Sequence, residues 1–174
     1  AEAIATQRVG GQIESISWNT ADGFGAALNA FIAQNYGAGK NDRVRKGYKA
    51  SLWTVGIWGV LISVIFICFP EPIAQIFFHE PKAIATAMGY LVIIGFSEAF
   101  MCVELTTVGA LSGLGRTRLC SIISIIFTSA RIPLAILLGG IMGLNGIWWA
   151  LSSTSIVKGI IFACTFLWIT RKRK

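Results

Sequence analysis

Residues 50–69 form an unbroken run of 20 residues without one charged side chain. A helix of that length rises about 30 Å, which matches the hydrocarbon core of a bilayer. The ten residues that precede the run hold five bases: Lys40, Arg43, Arg45, Lys46 and Lys49. Because Lys and Arg stay on the cytoplasmic side of a membrane, the two features together predict a spanning helix whose orientation this basic loop sets.

Further apolar segments extend this pattern along the chain, and spans are predicted at residues 12–32, 50–69, 84–111, 119–138 and 146–170. Hydrophobic residues make up 55% of the chain and charged residues 13%, whereas a soluble domain carries about 25% charged residues. We therefore expect one all-α domain over residues 1–174, a polytopic membrane helical bundle with about five transmembrane helices. The first span is the least hydrophobic. The alternative for it is an amphipathic surface helix, which would need a basic polar face where this one is acidic.

The bases outside the predicted spans are distributed unevenly. With the first basic loop inside, Arg116, Arg118 and the tail 171–174 fall on the same side, so that eleven bases lie inside. Only Arg8 and Lys82 lie on the other side. This asymmetry predicts a cell-membrane protein whose amino end is outside and whose carboxyl end is cytoplasmic.

Three smaller signals describe individual elements. A short helix at the outer interface is expected between Pro70 and Pro81, where apolar residues recur at helical spacing. Gly109 and Gly113 form a GxxxG spacing that permits close helix approach, and a tight turn is expected directly after it. Pro133 is expected to kink the fourth span.

Charged residues lie inside the predicted spans. The first span carries an acidic stripe with Glu14 and Asp22, and the third carries Glu98 and Glu104. Two acids in one span cost roughly 5–7 kcal/mol on insertion, so neighbouring helices must shield them. Charged residues at this depth are functional candidates, and we assign Glu104, Glu98, Asp22 and Glu14 as cation-coupling or substrate-cavity candidates.

The bases Arg131 and Lys158 are charge-pairing candidates. Counting about 1.5 Å per residue from the inner helix ends places Asp22 and Glu98 at the same depth as these bases, about 15–20 Å, and Glu104 at about 10 Å. Two interpretations stay open: structural pairing that makes the charges tolerable, or a relay whose acids exchange a proton or Na⁺ for a cationic substrate.

Several classes of site are not expected. The four cysteines show no CxxC spacing and the chain has one histidine, so no metal site is predicted. No nucleophile or zinc-hydrolase motif occurs, which argues against an enzyme. The net charge of +7 sits in short clusters between apolar runs, which argues against a nucleic-acid partner.

Four stretches carry a resemblance to a known family. They are QNYGAGK at residues 34–40 with the bases that follow, CVELTTVGA at 102–110 running into GLGRT at 113–117, TSARIPLA at 128–135, and GLNGIWW at 143–149. In this order the chain resembles multidrug and toxic compound extrusion (MATE) transporters. The resemblance implies a cation-coupled antiporter, driven by Na⁺ or H⁺ without another cofactor, that exports organic and often cationic compounds.

Members of that family have two lobes of six spans around a central cavity. The chain resembles the last five spans of the second lobe and begins at Ala1 rather than Met, so it is expected to be a piece whose partner is the missing lobe. In some branches of the family the second lobe holds a cation site with carboxylate ligands. The resemblance implies that one of the third-span acids, Glu98 or Glu104, corresponds to a carboxylate of that site. The alternatives are a lipid-linked oligosaccharide flippase of the wider superfamily and a non-transporting membrane scaffold subunit.

Overall fold

The computed structural model describes residues 2–171, which are helical apart from short connections and contain no strand. The helices are α1 (Glu2–Gly37), α2 (Asn41–Cys68), α3 (Pro70–Phe77), α4 (Pro81–Gly113), α5 (Thr117–Met142) and α6 (Leu144–Arg171). This confirms the all-α fold class. The tail residues Lys172, Arg173 and Lys174, which the topology prediction counts as inside, lie outside the described residues.

Within the described residues, α2, α4, α5 and α6 are long and apolar enough to cross a membrane. Helices α4, α5 and α6 overlap the spans predicted at 84–111, 119–138 and 146–170, whereas α2 begins at Asn41, well before the span predicted at 50–69. Most of the expected basic loop therefore forms the first turns of α2. The span predicted at residues 12–32 lies inside α1, but α1 does not meet the same criterion of hydropathy and charge. That α1 also crosses the membrane therefore stays a prediction.

Helix α4 occupies the centre of the bundle, because α1, α2 and α6 all pack against it. Helix α1 runs beside α4 in the same direction: Glu14 meets Tyr90 early in both helices, and Asn29 meets Gly113 where α4 ends. Helix α5 packs mainly on α6, and its most apolar 18-residue window has no buried residue. This leaves α5 with a broad apolar face for lipid or another helix.

Glycines allow α1 and α4 to approach closely. A side chain at Gly109 would collide with the carbonyl group of Gly25, and a Cβ at Gly113 would lie 2.6 Å from the carbonyl oxygen of Asn29. The close approach expected from the GxxxG spacing is thus confirmed, with α1 as the partner helix.

The connections between helices also follow the sequence signals. Gly115 has a φ of +72° and its N–H donates to the Ser112 carbonyl at 2.9 Å, which closes the turn expected after α4. Helix α3 confirms the short helix between the two prolines, with Pro70 in its first turn. Pro133 lies inside α5, and the kink expected there stays a prediction.

Candidate functional site

An ion pair joins α4 to α6. The Nζ atom of Lys158 lies 2.6 Å from Oε1 of Glu104, and these side chains are only 9% and 13% exposed. An ion pair in such a position is stable only when both partners are present, because either charge alone would be buried without compensation. Lys158, one of the two charge-pairing candidates, is therefore paired with Glu104 in this structure.

Arg131 ties α5 to α6 through hydroxyl groups. Its Nε donates to Thr154 Oγ1 at 2.9 Å and its Nη2 donates to Ser155 Oγ at 2.8 Å. The guanidinium is partly buried, and hydroxyl oxygens take the place of the carboxylate expected for it. The charge of Arg131 is thus held in position but remains available to an acidic group or an anion nearby.

These charged side chains line a cavity of about 300 Å³ between four helices. Its lining residues are Trp18, Asn19 and Asp22 from α1, Met101, Glu104 and Leu105 from α4, Arg131 from α5 and Lys158 from α6. Asp22 and Glu104 balance the two bases in formal charge. The predicted charged layer therefore exists in this structure, but with Glu104 in place of Glu98.

Glu98, which the depth estimate places at the level of Lys158 and Arg131, pairs with neither base. Glu98 is fully buried, and neither of its carboxylate oxygens has a hydrogen-bond partner within residues 2–171. The depth estimate did not consider helix faces: Glu98 and Glu104 are six residues apart, which separates them by about 120° around the axis. Glu104 consequently points toward α6 and its lysine, whereas Glu98 is buried near Ser17 of α1, whose hydroxyl bonds with the Cys102 sulfur at 3.3 Å.

Glu14 and Glu98 form a second site, deeper in the α1–α4 contact. Glu14 is 2% exposed and accepts a hydrogen bond from the Tyr90 hydroxyl, and Glu98, in the same contact, is fully buried. Trp18 follows Glu14 by one helical turn and Met101 follows Glu98 by three residues, so the acid pair adjoins the charged cavity.

Sequence reasoning missed Tyr90 as the partner of Glu14. Tyr90 is 5% exposed, and its ring meets that of Trp148 edge to face with centroids 5.1 Å apart. Because Tyr90 precedes Glu98 by eight residues, the two lie within about 80° of each other on α4. A phenol on the same helix face as a buried acid could have been recognised in the sequence as a hydrogen-bond donor to an acid there. In the part of the chain described, no three metal-ligating side chains gather.

Comparison with known families yields a match over most of the chain. Residues 1–137 match the family model MatE. The chain is 31% identical to a probable multidrug resistance protein NorM of Thermotoga maritima, with 96% of the chain and 37% of that protein covered. It is 26% identical to an FAD transporter of Shewanella oneidensis, with 95% and 36% covered.

The fold also matches a solved structure. The bent form of the Vibrio cholerae MATE transporter VcmN superposes with a TM-score of 0.90 at 18% identity, over 99% of this chain and 40% of that one. The chain therefore spans less than two fifths of the length of the two curated relatives that it matches here.

Proposed function

The chain belongs to the MatE family of multi-pass membrane transporters, and we propose that it forms part of a secondary active efflux antiporter. The antiporter exports small organic cations in exchange for Na⁺ or H⁺. It works by alternating access, in which this bundle rocks against a second lobe around a central site. The proposal is supported by the similarity to the T. maritima protein, which is named a probable multidrug resistance protein.

The observation that carries the coupling proposal is the acid pair formed by Glu14 and Glu98. Two carboxylates buried in one contact between helices need positive charge to balance them. Among the side chains described, those of residues 6–171, no base is paired with either acid. A proton or Na⁺ bound between them supplies the missing charge, and the Tyr90 hydroxyl orients Glu14.

Glu104 has a different role in this proposal. Lys158 already neutralises Glu104, so Glu104 is less suited than Glu98 to bind the coupling cation. It lines the charged cavity together with Asp22, and these two acids face an organic cation held there. Trp18, which lines the cavity, follows Glu14 by one helical turn, so the charge of a cation held there disfavours the bound proton or Na⁺.

A test uses the full encoded protein in proteoliposomes, with ethidium transport driven by an imposed Na⁺ or pH gradient. Glu14→Gln and Glu98→Gln each remove one charge and keep the shape of the side chain, so each is expected to abolish gradient-driven transport. The control is Glu71→Gln, which removes an exposed acid of α3 and is expected to transport normally. Normal gradient-driven transport by both acid-pair variants would contradict the coupling site.

The two bases of the same cavity favour a second candidate substrate. Arg131 and Lys158 suit phosphate groups, and the S. oneidensis relative is named an FAD transporter. Under this alternative, as for a lipid-linked oligosaccharide flippase, an anionic compound occupies the cavity. Strong inhibition of transport by FAD, with none by organic cations, would favour this alternative over organic-cation export.

A further inference from the structure

A basic groove opens between the start of α2 and the end of α6. It has a volume of about 210 Å³ and is lined by Arg45, Tyr48, Lys49, Phe166, Leu167, Thr170 and Arg171. Three of these seven residues are bases and none is an acid. The groove lies at the end of the bundle that carries the basic residues of 40–49, which the base asymmetry predicts to be cytoplasmic.

The groove is built on a rigid base. The rings of Tyr48 and Phe166 stack with centroids 3.8 Å apart, and both side chains are fully buried. The Nη2 atom of Arg45 donates to the carbonyl oxygen of Thr170 in the last turn of α6. This bond fixes the guanidinium in position, and an arginine retains further N–H donors for a ligand.

The second half of the site is an apolar groove that begins one turn deeper. Arg45, Lys49 and Trp53 are spaced four residues apart and so lie on one face of α2. Trp53 lines a groove of about 480 Å³ between α2 and α4, and every residue that lines this groove is apolar: Leu52, Trp53, Gly56, Ile57, Val60, Ala99, Phe100 and Val103. Trp53 is 74% exposed, at the depth where tryptophan commonly lies beside lipid head groups.

We propose that an anionic phospholipid occupies this face of the bundle. Its phosphate binds between Arg45, Lys49 and Arg171, and one of its acyl chains lies in the apolar groove below Trp53. Basic pockets between membrane helices are suited to anionic head groups, since a phosphate accepts several charge-assisted hydrogen bonds. The apolar groove fits a hydrocarbon chain, which a phospholipid has and a free phosphate lacks.

The experiment titrates the full encoded protein in neutral detergent with phosphatidylglycerol and with phosphatidylcholine of the same acyl chains, and measures bound lipid by native mass spectrometry. Phosphatidylglycerol is expected to bind more tightly. Each base near a lipid phosphate contributes about 1 kcal/mol, or about fivefold in affinity. The double variant Lys49→Gln with Arg171→Gln is therefore expected to bind phosphatidylglycerol roughly 30-fold more weakly.

A matched control separates a specific site from general charge attraction. Arg43→Gln with Lys46→Gln removes the same charge from exposed positions that do not line either groove, and is expected to keep wild-type binding. Equal affinity for the two lipids in the wild type, or an equal loss in both double variants, would overturn the proposal.

The apolar half of the site has its own variant. No atom lies within 4 Å of a Cβ placed at Gly56, so Gly56→Leu fits and partly fills the groove. This variant is expected to weaken phosphatidylglycerol binding with all bases intact. Unchanged binding, or complete displacement of the lipid by inorganic phosphate, would mean that the groove binds free phosphate alone and would overturn the lipid assignment.

Discussion

The buried ion pair between Lys158 and Glu104 makes a stability prediction at the scale of single residues. Lys158→Met leaves Glu104 buried without its partner and is expected to lower the free energy of unfolding by about 3–5 kcal/mol. Adding Glu104→Gln removes the stranded charge and is expected to recover most of that loss. Thermal unfolding of the full encoded protein in detergent measures both effects. Equal stability of the single and double variants would contradict a direct pair.

A hydroxyl group carries the second residue-scale prediction. In the proposed coupling site the Tyr90 hydroxyl orients Glu14 without binding the cation itself, so Tyr90→Phe is expected to weaken coupling without abolishing it. The expected result is a higher Na⁺ or proton concentration for half-maximal ethidium transport, with an unchanged maximal rate. Loss of transport at every cation concentration would mean that Tyr90 is indispensable rather than a positioning residue.

The sequence identified the charged residues of the candidate site but not which acid contacts which base. Asp22, Arg131 and Lys158 were placed at one depth, and all three line one cavity. Glu98 was assigned to that layer because depth along a helix can be counted from sequence. Which neighbour each helix face meets depends on packing, which the spacing of residues on one helix does not contain.

At the scale of helices, the α1–α4 contact can be tested with two glycines of α1 and α4. Gly109→Leu places a side chain against the backbone of Gly25 and must push the helices apart. It is expected to destabilise the protein by at least about 1–3 kcal/mol, the usual cost of overpacking. Gly23→Leu is the control, since no atom lies within 4 Å of a Cβ at Gly23. Equal melting temperatures for the two variants would contradict the close approach.

Helix positions were predictable because long apolar runs bounded by bases or prolines have few other folds available in a membrane. Helix α1 is the exception, since its acidic stripe lowers its hydropathy below that of the other long helices. The same stripe packs on α4 through Glu14 and Gly25. The residues that weaken the membrane signal of α1 are therefore those that bind it to the rest of the bundle.

Topology is a prediction for the whole molecule. In a variant without Cys68, Cys102, Cys120 and Cys164, single cysteines at positions 41 and 117 are expected to resist an impermeant thiol reagent in intact cells. A cysteine replacing Gln75, in α3, is expected to react. Both expectations follow from the eleven bases assigned to the inner side. The reverse labelling pattern would contradict the orientation.

The length of the chain leads to a further prediction. The chain covers 37% of the T. maritima relative, and alternating access requires a second bundle against which this one can rock. Reconstituted alone, residues 1–174 are expected to show no gradient-driven ethidium transport. Coupled transport by the isolated chain would contradict the proposal that it is one part of a two-lobe transporter.

The most direct test of the central claim counts cations released when substrate binds. The full encoded protein in detergent is titrated with ethidium, and released protons or ²²Na⁺ are measured at equilibrium. If Glu14 and Glu98 hold the coupling cation, the wild type releases it on ethidium binding, and the variant with both acids changed to Gln binds ethidium without release. Undiminished release from that double variant would contradict the account and move the coupling site outside the α1–α4 contact.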